Sequence, residues 1–175
     1  MTPVEIRDRL VCGMAEYLRI PIVLSDQVDP QLPIPFAYYT ATSPYIPGPG
    51  ARGDITFRVT PDGRDVEAVR TEMPTASFSF TFCSVNRQGE RGYIWGEDEA
   101  HELSDRAVGW LKHTGHTWLM LSGLVVVQVM NSASRSILVV DEQSRRWGFD
   151  VTVRYTRTDV RNDASVEKIN FIRRD

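Results

Sequence analysis

Two histidines have a spacing that is typical of metal ligands. His113 and His116 are three residues apart near the end of a helical pattern, an interval at which two imidazoles can bind one metal ion. The sequence singles out no carboxylate as a third ligand, and Gly115 interrupts the helix between the two histidines. Solvated histidines beside the negative end of a helix explain the pair as well. We therefore expect no metal site, with a small metal-dependent enzyme as the alternative.

The other acid–base groups and nucleophiles form no recognisable catalytic motif. His101 follows Glu97 by four residues, a spacing that is more typical of a helix-surface pair than of a catalytic dyad. Cys12 and Cys83 have no flanking features that would activate a thiol, and they are typical of structural cysteines in a reducing compartment. There is no phosphate-loop, Rossmann, nucleophile-elbow or zinc-protease signature. The sequence therefore predicts no catalytic residue, no cofactor and no enzymatic activity.

An Arg-Gly-Asp triplet at residues 52–54 makes a cell-adhesion protein one class to consider, because this tripeptide is a known integrin-binding motif. The triplet ends the breaker-rich stretch SPYIPGPGARGD at residues 43–54. A tripeptide is short enough to occur by chance, and the cysteines are those of a reducing compartment rather than of the extracellular space. The stretch is therefore predicted to be a long Pro/Gly loop, not an adhesion site.

The composition is that of a single globular domain over residues 1–175. The chain is 42% hydrophobic and 25% charged, and its apolar runs are too short to cross a membrane. A net charge of −3 gives no electrostatic footprint for binding free nucleic acid. Residues 61–120 hold 6 basic and 10 acidic side chains, whereas residues 121–175 hold 9 and 7. Solvated faces explain this bias, and complementary surfaces on neighbouring copies are the alternative.

Hydrophobic periodicity predicts two main helices. A capping box with Pro3 at the first helical position precedes an apolar stripe, which predicts a helix over residues 3–18. A second helix is predicted to begin at residue 96 with an acidic first turn and to end at Gly115. A further turn of helix is expected over residues 117–121.

Alternating apolar residues predict a mostly antiparallel sheet. The clearest strand is residues 77–85, in which Phe78, Phe80 and Phe82 face one side. The other predicted strands are residues 22–24, 36–42, 55–59, 66–71, 124–130, 137–141, 146–157 and 166–172. The predicted fold class is α+β: a mostly antiparallel sheet with the two main helices packed on one face, plus a projecting hairpin and the long Pro/Gly loop.

Six stretches of sequence point to one protein family by their order along the chain. They are IRDRLVCGMAEYLRIPIVLSDQ, PFAYYTATSPYIP, FSFTFCSVNR, YIWGEDEAHELSDRAVGWLKHTG, LVVVQVMNS and RRWGFDVTVRYTR. Over about residues 4–157 the chain resembles the phage neck terminator, or tail terminator, family of tailed phages and prophages. The likeness rests on these stretches rather than on a catalytic signature.

The resemblance implies a virion structural protein. Tail terminators of this kind are α+β subunits that close into a ring, commonly of six, on the finished tail tube, where they stop tube growth and present a surface to the head connector. The implied partners are further copies of the chain in a hexamer, the tail tube with the sheath as a further candidate, and the head–tail connector or adaptor. DNA only passes through the lumen, and no membrane is involved. The implied location is the virion neck, after assembly in the host cytoplasm.

Within that interpretation, the Pro/Gly loop is predicted to be an assembly arm that docks on a neighbouring subunit or tail ring. Its apolar residues are expected to be covered in the assembly, and its charged residues can form pairs across subunits. A mobile surface loop is the alternative. The polar outer face of the last long strand can meet a neighbour in the same way. The predicted subunit-interface residues are Tyr45, Ile46, Arg52, Asp54, Arg145 and Arg154.

Two further classes of protein stay open. A head–tail adaptor or stopper ring differs from a terminator in stoichiometry and in the face that binds the tube. A DNA-binding module needs a basic stripe, and the arginines over residues 145–161 are interrupted by acidic residues. The DNA-binding class is therefore disfavoured.

Overall fold

The computed structural model describes residues 1–27, 32–50, 52–61, 65–90, 92–136 and 144–163. Helix α1 is Pro3–Leu18, as predicted. Thr2 and Glu5 form the predicted capping box, in which each side chain accepts a hydrogen bond from the other residue's backbone N–H. The buried stripe of α1, which includes Leu10 and Met14, packs into the core.

The second helical region has three parts. Helix α2 is Gly96–Gly109, a π-helical turn spans Trp110–Thr114, and helix α3 is His116–Leu121. The sequence predicted one regular helix as far as Gly115, so the π-helical turn is a correction. Residue 115, directly after the π-helical turn, is a glycine because any side chain there would collide with the Trp110 indole. The Trp118 side chain then donates a hydrogen bond to a carbonyl of α1, which fixes α3 on α1.

Five strands form the main sheet, which we call the body sheet. Within the described residues the strands are β1 Ile22–Leu24, β2 Phe36–Ile46, β3 Asp54–Val59, β4 Val66–Glu72, β5 Thr75–Val85, β6 Arg87–Gly89, β7 Gly92–Ile94, β8 Leu124–Ser134, β9 Ser144–Tyr155 and β10 Arg157–Asp163. The body sheet has the order β1-β2-β5-β9-β8, and only the β1–β2 pair is parallel. The predicted α+β fold class, a mostly antiparallel sheet with two main helices, is confirmed.

The core lies between the helices and one face of the body sheet. Phe78, Phe80 and Phe82 of β5 point into it, as predicted, and pack beside Phe149 of β9. The ring centroids of Phe80 and Phe149 are 5.8 Å apart, and both side chains are fully buried. Burying one such side chain contributes about 2 to 3 kcal/mol, so each of these aromatic residues adds substantially to the stability of the body.

Strand β2 is longer than the sequence predicted. Residues 43–46 belong to β2, so the prediction that they are part of a loop is wrong, and residues 47–53 alone connect β2 to β3. The pairing of β2 with β5 shifts register on both sides of Ser43. Pro44 lies at this irregularity, where a strand can accept a residue that has no backbone N–H. Pro44 therefore marks a β-bulge within β2 and not the start of a loop.

Three strands leave the body and form a second sheet in the order β10-β4-β3, which we call the arm. The predicted projecting hairpin is β3 and β4 of this sheet, but the third strand, β10, was not predicted. The one strand predicted over residues 146–157 ends at Tyr155, because the chain passes from the body sheet to the arm at Thr156. The strands predicted at residues 137–141 and 166–172 lie outside the described residues.

Candidate interaction surface

The arm carries apolar side chains that its own sheet leaves uncovered. Ile55, Phe57 and Val59 alternate along β3 and are 52, 67 and 66% exposed. They share one face of the arm because residues at alternate positions of a strand point to the same side. β3 is also the edge strand of the arm, so its outer backbone groups have no partner strand among the described residues. An apolar edge strand of this kind is a template for binding another chain.

A groove beside β8 is the second uncovered apolar surface. It has a volume of about 560 Å³ and lies between α3 and β8, the edge strand of the body sheet opposite β1. Met120, Val125 and Val127 line it and are each at least half exposed. Lys112 and His116 are the ionisable side chains that line the groove in the described part of the chain. The groove is therefore apolar, with a basic rim.

A buried carboxylate fixes the arm to the body. The Glu72 carboxylate accepts a hydrogen bond of 3.0 Å from the Tyr45 hydroxyl and one of 2.6 Å from Arg70. Arg70 also donates to Asp159 of β10 at 3.1 Å, and the Arg157 guanidinium lies over the Tyr45 ring. Because these residues come from β2, β4 and β10, the cluster holds the arm in one orientation relative to the body sheet.

The loop between β2 and β3 follows the backbone of β4 closely. A side chain at Gly48 would lie about 2.6 Å from the Met73 carbonyl oxygen, and one at Gly53 would meet the β4 backbone equally closely. Gly53 also has a φ of +65°, which glycine adopts without strain. Arg70 donates a hydrogen bond of 2.7 Å to the Arg52 carbonyl. Both ends of the loop are therefore held by contacts within the chain.

The structure brings five of the six predicted interface residues to this junction. These five residues are Tyr45, Ile46, Arg52, Asp54 and Arg154. Asp54 and Arg154 line one small cavity beside the loop. Arg145 lies nine residues before Arg154 on β9, which places it about 30 Å away and, by strand alternation, on the other face of the sheet. Within one chain, Arg145 is therefore not part of the same patch.

The uncovered face of the body sheet holds a polar network that the sequence analysis missed. Arg135 donates hydrogen bonds of 2.8 to 2.9 Å to Ser79, Thr81 and Asp150. Burial raises the pKa of Asp150, but hydrogen bonds from its neighbours outweigh burial and hold the pKa below its ordinary value. Gly148 makes room for the network, because a side chain there would collide with the Arg135 guanidinium. A glycine inside a strand is the one local signal of such a close approach.

The end of the body opposite the arm presents an exposed aromatic pair. The β6–β7 hairpin is at this end of the body. Tyr93 of β7 and Trp95 just after it are more than half exposed, and their ring centroids are 4.9 Å apart in an edge-to-face arrangement. Arg87 donates two hydrogen bonds, of 2.7 and 2.8 Å, to the Glu99 carboxylate and so ties the hairpin to α2.

The candidate reactive groups do not come together in the structure. His113 and His116 are exposed, and no group of three or more His, Cys, Asp or Glu side chains within the described ranges could hold a metal ion. The His101 ring packs on Trp147, with centroids 4.1 Å apart. Burial raises the pKa of the Cys83 thiol to about 11, so this thiol stays protonated at neutral pH. What the described part of the molecule offers other molecules is a set of exposed surfaces.

Comparison with known proteins agrees with that description. Within the described residues, no helix is long and apolar enough to cross a membrane. The model of a family described as phage neck terminator protein matches residues 5–173. Comparison with curated proteins gives no match. Because the family model covers nearly the whole sequence, the chain belongs to the phage neck terminator family, and the resemblance is confirmed. It is a structural protein of the phage tail and neck.

Proposed function

We propose that the chain assembles in the host cytoplasm into a closed ring at the head-proximal end of the tail. There it ends growth of the tail tube and joins the tube to the head connector. The observation that carries the proposal is the arm, where three large apolar side chains are exposed on an edge strand. Exposed apolar surface of this kind marks a site that another protein covers.

A ring of identical subunits needs two different surfaces on each copy, because a head-to-tail contact joins one surface to the other. The arm and the groove beside β8 meet this requirement. We take six copies as the ring size, as the family resemblance implies. The net charge of −3 supports a lumen through which DNA passes without strong phosphate contacts.

The six predicted interface residues are part of this proposal. Asp54 and Arg154 line one cavity at the junction, which supports a shared contact with one neighbour, and Arg145 at the other end of β9 is proposed to contact a different molecule. Arg154→Glu should weaken ring formation, since it reverses a charge at the proposed contact. An unchanged ring mass on light scattering would remove Arg154 from the interface.

Electron microscopy of the purified protein and of tails assembled with it tests the ring. We expect a closed annulus at the tail tip that faces the head, on tubes of uniform length. An annulus that binds the connector and ignores the tube would favour the adaptor or stopper class. If neither sample contains a ring, the proposed function is wrong.

Metal analysis separates this proposal from a metal-dependent enzyme. We expect the purified protein to carry no stoichiometric zinc or iron, because His113 and His116 have no third ligand beside them in the described part of the chain. Stoichiometric metal that is lost on His116→Ala would favour the enzyme.

A further inference from the structure

The arm is joined to the body by short connections of the chain and not by packing. Met73 and Pro74 connect β4 to β5, and Thr156 alone connects β9 to β10. A third connection, residues 47–53, is longer and follows the backbone of β4. Among the described residues, the arm strands pack on one another and make no extended contact with a strand or helix of the body. A unit attached in this way can turn at its connections.

The two short connections lie side by side. The Tyr155 amide donates a hydrogen bond of 3.1 Å to the Pro74 carbonyl, which holds them together. Beyond them, β4 and β10 are paired along their whole lengths, starting with Glu72 opposite Arg157. Because both strands leave the body at the same place and are bonded to each other, the arm can turn only as one sheet.

Tyr45 is the residue of the body that holds the arm in place. Its hydroxyl donates a hydrogen bond of 3.0 Å to the Glu72 carboxylate, and the Arg157 guanidinium lies 5.6 Å from the centre of its ring. The Glu72 side chain is only 5% exposed, and a hydrogen bond to a charged acceptor is about twice as strong as one between neutral groups. One side chain of β2 therefore contacts both arm strands where they enter the body.

A second tyrosine at the junction does not fasten the arm. Tyr155 is 2% exposed, and its hydroxyl has no hydrogen-bond partner in the described part of the chain. Burial raises the pKa of this hydroxyl, the charge of Arg157 lowers it, and the charge of Glu72 raises it, so Tyr155 lies near both residues. The junction thus has two tyrosine hydroxyls, one bonded to the arm and one that is not.

We propose that the junction is a hinge and that Tyr45 is its latch. The arm turns as a unit about Met73–Pro74 and Thr156 when the Tyr45 hydroxyl leaves the Glu72 carboxylate. The latch therefore sets the direction in which the exposed apolar row of β3 points.

The latch lies where another molecule can reach it. Tyr45 is 38% exposed, and Glu72 lines the junction cavity together with Asp54 and Arg154. A molecule that contacts Asp54 and Arg154 is beside the latch, so its binding and the position of the arm are coupled. The hinge is a property of one subunit and does not depend on ring formation.

Hydrogen exchange of single amides in the purified protein tests the latch. Tyr45→Phe removes the hydroxyl, keeps the ring beside Arg157, and leaves the hydrogen bond from Arg70 to Glu72 inside the arm. We expect the Tyr155 amide to exchange about tenfold faster, because its hydrogen bond joins the two connections of the hinge. Amides in the middle of β4 should keep their rates within about twofold, because the arm stays folded.

Tyr155→Phe is the matched control. It removes a hydroxyl at the same junction that makes no hydrogen bond within the described ranges. Exchange at position 155 should then change by no more than about twofold. Equal exchange rates in wild type and Tyr45→Phe would overturn the latch. Faster exchange throughout β3 and β4 in Tyr45→Phe would show that the arm unfolds instead of turning, which overturns the hinge.

Distances between spin labels test the movement itself. The labels are attached at Val59→Cys, at the tip of the arm, and at Glu102→Cys on α2, in a Cys12→Ser background because Cys12 is an exposed free cysteine. Dilution with unlabelled protein restricts the measurement to distances within one chain. Tyr45→Glu places a second carboxylate beside Glu72 and should broaden the distance distribution, with thermal unfolding as the check on folding.

The same narrow distance in Tyr45→Glu and in wild type would overturn the hinge. A broad distribution in Tyr45→Glu, with a narrow one in wild type, would support it. Both results are independent of whether rings form on electron microscopy, so failure of the hinge and failure of the proposed function are distinguishable.

Discussion

The body sheet and the arm share the same run of chain but bury their apolar residues very differently. β4 leads into β5, and β10 follows β9, so two stretches of the chain pass through both sheets. In the body, Phe80 and Phe149 are fully buried, whereas Phe57 and Val59 in the arm are about two-thirds exposed. The apolar alternation in the sequence is similar in both regions. Alternation thus predicts a strand, but not what covers it.

The difference has a physical cause in the helices. α1 and α2 cover the body sheet, and α2 packs directly on β5 and β9. All six residues of β3 in the arm are exposed. An exposed apolar face gains nothing from the hydrophobic effect until another molecule covers it. The arm should therefore contribute to assembly, and the body to folding.

The largest expected effect is in the body. Phe80→Ala removes a fully buried ring beside Phe149 and should lower the free energy of unfolding by about 3 to 5 kcal/mol. Urea unfolding followed by circular dichroism measures this loss. A loss below about 1 kcal/mol would mean that the core repacks, and the contrast with the arm would then be weaker than the burial indicates.

A smaller effect is expected at the junction between the two regions. Glu72→Gln removes the buried charge that Arg70 and Tyr45 contact, and should cost about 1 to 3 kcal/mol. Amide hydrogen exchange in β3 and β4 should become faster, because the arm loses its attachment. Glu67→Gln is the control, since Glu67 pairs with the exposed Arg58 and should cost under about 1 kcal/mol. Equal effects of the two changes would show that Glu72 does not hold the arm.

The pH dependence of stability should reveal the contribution of the Arg87–Glu99 ion pair, at the end of the body opposite the arm. Hydrogen bonds from Arg87 hold the pKa of Glu99 below its ordinary value of 4.5. Because the folded-state pKa is depressed, this stabilisation is present above about pH 4.5 and is lost as the pH falls through the folded-state pKa. Glu99→Gln should therefore lose less stability on acidification than wild type.

Denaturant unfolding over a series of acidic pH values measures this difference. Glu102→Gln is the matched control, because Glu102 is an exposed residue of the same helix. Wild type and Glu99→Gln with the same pH dependence would show that the pair contributes no pH-dependent stability.

The smallest expected effect on stability is in the arm. Phe57→Ala should change the free energy of unfolding by no more than about 0.5 kcal/mol, because Phe57 is 67% exposed. The measurement is the urea experiment used for Phe80→Ala, at a concentration where the protein is monomeric. A loss close to that of Phe80→Ala would show that the arm face is covered within the chain, which would break the comparison.

Elements with a local cause were predictable from the sequence. The bounds of α1 follow from a capping box and an apolar stripe that lie within sixteen residues of each other. The orientation of Phe78, Phe80 and Phe82 on β5 follows from strand alternation alone. The proline- and glycine-rich residues 47–50, with residues 52 and 53, do lie outside the strands, because they offer no strand pattern.

Features with a distant cause were not predictable from one sequence. Pro44 is inside β2 because β5 tolerates an irregular pairing there, and Tyr155 ends β9 because β4 is available to pair with the next residues. Arg135 reaches Ser79 across 56 positions of sequence, and no local spacing connects them. Of the proposed contact residues, those near Arg52 were suggested by composition, while the exposed row around Phe57 was predicted only as part of a projecting hairpin.

The continuity of strands between arm and body has a mechanical consequence. β4 and β10 lead into β5 and β9, each of which has a hydrogen-bonded neighbour on both sides. A pull on the arm enters the sheet along the length of these inner strands. Their ladder hydrogen bonds run across that direction, so they bear the load together in shear instead of opening one at a time. Tension applied to β4 or β10 should therefore be carried by the inner strands of the body sheet and not by its edge strands.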